Sequence, residues 1–129
     1  MGAMPPRATT SGDRAQPAAA SARLVVDVAS EKQGADIVLL DVHAVTAFAD
    51  YMIILTAASA RQVNALARDL TEAAEKSGLG LHHREGTAES GWVLLDFADV
   101  VVHIFSPEQR DYYRLEQVWK KAKTLVHVQ

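Results

Sequence analysis

The chain has 129 residues, 49% of them hydrophobic and 22% charged, with a formal net charge of −3. This composition supports one packed domain and excludes global disorder. Cysteine is absent, which excludes disulfides, thiolate nucleophiles and cysteine-based zinc sites and fits a reducing compartment. No apolar run approaches the ~20 residues of a membrane helix, and the start lacks the unbroken apolar segment of a secretory signal.

The first twenty residues are rich in Pro, Ala, Ser and Thr without periodicity, and are expected to form a disordered tail, leaving residues 21–129 as the folded domain. Ser21 is placed to cap a first helix. Ala22, Val25, Val26 and Ala29 follow at helical spacing, and Gly34 stops it. Ile37 to Val42 and Tyr51 to Thr56 are nearly unbroken apolar runs, as strands buried on both faces require. Residues His43 to Asp50 are too few for a crossover helix, so the pair is predicted antiparallel.

The second helix is the most strongly marked element. Ser59 and Gln62 have the spacing of a capping box. Val63, Leu66, Ala67, Leu70 and Ala74 form one apolar stripe, and Gly78 ends it. A strand near Leu81 to Glu85 is expected beside the previous strand through a right-handed crossover, followed by a polar loop from Thr87 to Gly91.

Trp92 to Phe105 then reads as a β-hairpin with Ala98-Asp99 as its two-residue loop. In that register Phe97 faces Val100, Leu95 faces Val102, and Val93 faces Ile104, which makes one wholly apolar face. The other face carries Trp92, Leu94, Asp96, Val101, His103 and Phe105. Large aromatics beside a few polar groups are the usual makeup of a recognition surface. The alternative is a Trp92 packed under a helix and a His103 that is a half-buried, hydrogen-bonded histidine. Ser106, Pro107 and Gln109 mark one more helix start, with Tyr112, Leu115, Trp119 and Ala122 on one stripe. The expected fold class is α/β: a mixed five-stranded sheet with three helices, an α/β sandwich.

Charge is uneven. From Ser21 to Ala58 two basic residues face five acidic ones, and from Leu81 to Ser106 one faces four; the end, with Arg110, Arg114, Lys120, Lys121 and Lys123, is basic. Acidic strands argue against direct nucleic-acid binding by the sheet and suit a basic protein partner. Enzymatic signatures are missing. No Gly-x-Ser-x-Gly turn surrounds Ser59, Ser90 or Ser106, and neither phosphate-loop nor dinucleotide fingerprints occur. His82 and His83 are adjacent on a strand and point to opposite faces, so they cannot share a metal without distortion. Asp96 and His103 share a face without being directly opposite. No metal and no cofactor are expected.

Taken together, Asp50-Tyr51-Met-Ile-Ile-Leu-Thr56, Ser59-x-x-Gln62-Val63, Glu85-Gly86, the segment Trp92 to Phe105 and Arg110-x-x-Tyr113-x-Leu115-Glu116-x-x-Trp119 resemble the Iojap family, the ribosomal silencing factors. The match runs from about Ser21 to Trp119. Two positions depart from the family pattern, Ala58 and Ala98, where glycine is usual; at Ala98 this bears on the hairpin turn, which favours positive φ. The resemblance implies a nucleotidyltransferase-like fold, often a homodimer, and a cytoplasmic, non-enzymatic factor. It implies docking on ribosomal protein fourteen of the large subunit, where the small subunit joins, so that subunit joining is blocked and translation falls under nutrient limitation. By position it implies partner-binding roles for Trp92 as anchor and for Glu85, Asp96 and Asp99 as complementary charges. His103, Asp50, Tyr51, Arg110 and Tyr113 also match motif positions. Two rivals are a nucleotidyltransferase-like enzyme, which wants a Gly-Ser turn before paired carboxylates holding magnesium, and an assembly factor for the large subunit.

Overall fold

The structure, a computed structural model, describes the backbone of residues 10–129 and the side chains from Ala18 onward. The expected tail is tested only in part. Residues 1–9 lie outside the described residues, whereas Thr10 to Ala20 are helical backbone: α1 runs Thr10–Glu31. Ser21 is therefore no cap. It is buried inside the helix, and its hydroxyl donates to the Ser77 carbonyl at 3.4 Å, tying α1 to the end of α2. Ala18, Ala22, Val25, Val26 and Ala29 form the buried stripe of α1. Past the helix end at Glu31 the chain turns away through Gly34, where a Cβ would come within 2.9 Å of Leu55 Cδ1 and 3.0 Å of the Ala29 carbonyl oxygen. Only glycine lets the chain turn this close to its own helix.

The strands that follow are β1 (Ala35–Asp41) and β2 (Tyr51–Thr56), antiparallel as expected, with Leu39 opposite Ile53. Helix α2 (Ala60–Lys76) begins at Ser59, whose hydroxyl accepts from the Gln62 amide at 3.1 Å. Gln62 reaches back to the Ala58 amide, one residue before the cap. Its buried residues are the predicted Val63, Leu66, Ala67, Leu70 and Ala74. Then come β3 (His83–Thr87), β4 (Trp92–Asp96), β5 (Val100–Phe105), α3 (Pro107–Tyr113), the short α4 (Leu115–Val118) and β6 (Lys123–Val128).

The sheet has six strands, not five, in the order β3-β4-β5-β2-β1-β6. Two expectations are corrected. The chain does not return beside β2 at β3; β5 takes that place and pairs parallel with β2, while β3 forms the far edge beside β4. The reason lies in composition. His83-Arg-Glu-Gly-Thr87 is exposed throughout, whereas four of the six residues from Val100 to Phe105 are aliphatic and five of the six are buried, as suits a strand inside the sheet rather than at its edge. The last helix is also shorter than predicted. Arg114 has φ 48°, which breaks it after Tyr113, and Lys123 to Val128 is a strand antiparallel to β1. Leu115, Trp119 and Ala122 still pack on one side of the sheet, but through a tight turn rather than a continuous stripe.

The hairpin register is the predicted one: Val93 pairs with Ile104 and Leu95 with Val102. Its turn resolves the departure at Ala98. This residue has φ 71°, and the Asp99 amide donates to the Phe97 carbonyl across it at 3.0 Å. That is the rarer, strained sense of a three-residue turn for an L-residue. Among the described residues no helix is long and apolar enough to cross a membrane.

Candidate partner-binding face

The sheet separates two cores. Helices α1 and α2 cover one face, burying Val25, Leu66, Leu70, Ile53, Leu55, Val93, Leu95, Val102 and Ile104 among others. The opposite face carries a smaller buried set, Val38, Leu40, Val42, Ala49, Met52, Ile54 and Phe105, with Trp92, Val101, Leu115, Trp119 and Ala122 half-buried around it. No long helix lies across it among the described residues. Strand register puts three cross-strand rows on this open face: His83, Asp96 and Val101; Glu85, Leu94 and His103; Thr87, Trp92 and Phe105. Alternation along β4 and β5 makes this the same set of residues that the hairpin pattern separates from the apolar core.

Trp92 is the hub. Its ring centroid lies 4.9 Å from Phe105 and 4.5 Å from Tyr113. Its indole N–H donates to His103 Nδ1 at 3.1 Å. His103 is only 5% exposed, and burial pushes its pKa down to about 4. It is therefore neutral at ordinary pH. Because Nδ1 accepts, the ring proton sits on Nε2, which is buried without a hydrogen-bond partner. Trp119 Nε1, on the other wall of the same face, is likewise buried and unpartnered. Buried donors left unpaired in this way are uncommon and costly. Between these walls runs a groove of about 460 Å³ whose lining includes Phe48, Met52, Leu94, His103, Leu115 and Trp119.

The predicted site residues divide. Trp92, His103, Tyr113 and Glu85 are brought together. Tyr113 is half exposed with its ring against Trp92, and the exposed Glu85 carboxylate accepts from or pairs with His83 Nε2 at 2.7 Å. Asp96 lies on the same face, but its carboxylate also accepts from the Ala98 amide at 2.7 Å, so it shapes the turn. Asp99 and Asp50 sit at the turn end of the sheet, where the Asp99 carbonyl accepts from the Asp50 and Tyr51 amides at 2.9 and 3.0 Å. Tyr51 belongs to the helix-covered core, and burial, followed by the nearby Asp41 and Asp50 charges, raises its phenol pKa.

Arg110 stands apart from the groove. It is 7% exposed, bonds Glu116 at 2.7 Å and Thr56 at 2.8 Å, and pairs with Asp36 at 3.5 Å. This clamp fixes the α3–α4 turn to the ends of β1 and β2. A buried arginine held by two carboxylates and a hydroxyl is a positioning device, since removing a carboxylate strands its charge. Ser59 and Gln62 do the capping work described above. Among the described residues no three His, Cys, Asp or Glu side chains are grouped to hold a metal.

Sequence reasoning missed the segment between β1 and β2. Phe48 is 90% exposed and borders the groove. The signal was there: one aromatic among small residues in a stretch that pattern analysis treats as a link.

Comparison with known proteins agrees with this architecture. The family described as ribosomal silencing factor during starvation matches residues 15–129. The ribosomal silencing factor RsfS of Bacillus subtilis is 37% identical over 100 residues, spanning 78% of this chain and 85% of that protein. The chloroplastic protein Iojap of Zea mays is 36% identical over 118 residues, 92% of this chain but 51% of the plant protein. A crystal structure of a Chromobacterium violaceum protein superposes with a TM-score of 0.75 at 34% identity, covering 84% of this chain and 92% of that one. With a match that spans almost the whole chain and a shared fold, the chain belongs to the ribosomal silencing factor family.

Proposed function

We propose that this protein docks on the large ribosomal subunit through its open face, with ribosomal protein fourteen of that subunit as the partner, and blocks association with the small subunit. Translation is thereby repressed when nutrients are scarce. In this reading the chain is a cytoplasmic binding factor rather than an enzyme. It needs no cofactor, and a homodimer is its unbound form.

Family membership supports the ribosomal setting. The single observation that supports the docking face is the groove beside the Trp92 cluster, left uncovered while the opposite face is fully packed. An exposed aromatic patch with acidic residues at its edge has the composition of an interface centre and suits a basic protein. The likeness to nucleotidyltransferases is taken as architectural: Asp96 is engaged at the turn amide and Asp99 lies in the turn itself.

The test is sedimentation of the purified protein with isolated subunits. The protein should travel with large subunits and not with small ones, and should reduce the yield of whole ribosomes when subunits are mixed. Equal binding to both subunits, or none to either, overturns the reading.

A further inference from the structure

A second, smaller pocket opens beside the groove, where β3, β4 and α3 meet. It encloses about 300 Å³, and its lining includes Glu85, Gly86, Trp92, Leu94, Gln109 and Tyr113. One side of it is aromatic: the Trp92 and Tyr113 rings pack on each other with centroids 4.5 Å apart at 51° and form one continuous wall. Another wall is the Glu85 carboxylate, whose Oε2 also meets His83 Nε2 at 2.7 Å, and no lysine or arginine lines the pocket. Gly86 lets β3 lie close against β4 at the pocket's edge: at φ +83° a Cβ there would lie 2.0 Å from the Trp92 carbonyl oxygen, so no side chain fits. The indole is held in place from behind, because its N–H is engaged by His103 at 3.1 Å.

A carboxylate beside two aromatic faces is a chemistry for cations. The negative ring faces attract a positive charge, most strongly when it is partly desolvated, and the flanking carboxylate adds a charge-assisted hydrogen bond. The surrounding strands carry one basic residue against four acidic ones from Leu81 to Ser106, which favours a basic protein as the source.

We propose that this pocket receives one lysine or arginine side chain of the docked partner protein, with its charge at Glu85 and its stem laid against the wall formed by Trp92 and Tyr113. His103 is the positioning residue that presents the indole. The assignment rests on the docking reading for the identity of the partner, but the pocket's preference for a cation is a property of this chain alone.

Two measurements test it. In the first, the indole N–H signal of Trp92, assigned with a Trp119→Phe variant, is followed by nuclear magnetic resonance while N-acetylargininamide is added. N-acetylcitrullinamide, which is neutral and nearly isosteric, is the control. The arginine derivative should give a saturating shift and the citrulline derivative at least tenfold weaker binding. Glu85→Gln should lower the arginine affinity about tenfold. Equal binding of the two derivatives, or unchanged affinity in Glu85→Gln, overturns the proposal. In the second, dissociation from isolated large subunits is timed. Glu85→Gln should leave about tenfold faster at both low and high salt, because a seated charge acts on the off-rate whereas a steering charge acts on the on-rate and is screened. An unchanged dissociation rate overturns the proposal. If arginine binds selectively but the chain never engages large subunits, the docking reading fails and the pocket assignment stands.

Discussion

The two faces of one sheet follow different chemistry. Beneath α1 and α2 the core is mainly aliphatic and closed, with Phe97 and Tyr51 among its members, and residues such as Leu66, Leu70, Ile53 and Leu95 are almost completely buried. The other face is aromatic and open. It holds Trp92 against Phe105 and Tyr113, a neutral buried histidine, and indole and imidazole N–H groups without acceptors. Close packing maximises stability and leaves nothing for a partner to do. The open face gives up some of that stability and keeps exposed apolar surface, with Phe48 at the rim of its groove, as interaction surfaces do. The difference teaches that stability and recognition in this chain are carried by opposite sides of the same strands, one residue apart.

The sharpest way to break the comparison is a cavity on the closed side. Leu70→Ala should cost about 3 kcal/mol of folding stability, the sum of lost transfer energy and an unfilled void. Urea unfolding measures it, and the folded fraction should dock as tightly as the unmodified chain. A docking defect in the folded fraction would join the two faces functionally.

Acid should act through the open face. His103 is neutral in the fold with a pKa near 4, whereas the unfolded chain takes up that proton near 6.5. Above pH 6.5 the two states bind the same number of protons and this histidine contributes nothing. As pH falls from 6.5 to 4 only the unfolded state is protonated, so stability declines by about 3 kcal/mol and then levels off. His43 works in the opposite direction, since its hydrogen bond to Asp41, and then the Asp41 charge, raise its pKa. The check is therefore urea unfolding at pH 7.5 and pH 4.5 for the chain and for His103→Asn. The variant should lose less stability on acidification. An identical loss would remove His103 from the account.

Trp92→Ala should weaken docking on large subunits by about 2 kcal/mol, the scale of a buried aromatic anchor. Its stability loss should be smaller than that of Leu70→Ala, because Trp92 is half-buried and the groove beside it is already open. A larger loss would make the open face a core and would end the division proposed here. The smallest effect belongs to the turn that joins the faces. Ala98→Gly should raise stability by about 0.5–1 kcal/mol in thermal or urea unfolding, because glycine takes positive φ without the strain Ala98 carries. Docking should not change.

Much of this was legible in the residues. The cap and stripe of α2, the hairpin register from Val93 to Ile104, and the separation of Trp92 and His103 from the apolar face all follow from local periodicity and turn chemistry. The elements that escaped are those decided at a distance. Thr10 to Ala20 has little apolar pattern of its own and is helical as the leading part of a helix that packs on α2 from Ala18 onward. Lys123 to Val128 could be read as a helix end until β1 offered it an edge to pair with.

The candidate site divides along the same line. The sequence by itself determined which residue types are present and which face of the hairpin they share, because side-chain alternation in a strand is a property of the local backbone. It also carried the family resemblance, since that rests on order and spacing. Only the tertiary structure decided which motif residues meet. It turned Arg110 inward onto Asp36, Thr56 and Glu116, placed Tyr51 under the helices, and brought Tyr113 onto Trp92. It also set the exposed Phe48 beside a groove that no local pattern announces. Those contacts join residues from different elements, and the energy that selects among them comes from burial and charge pairing across the whole fold, which no short window of sequence contains.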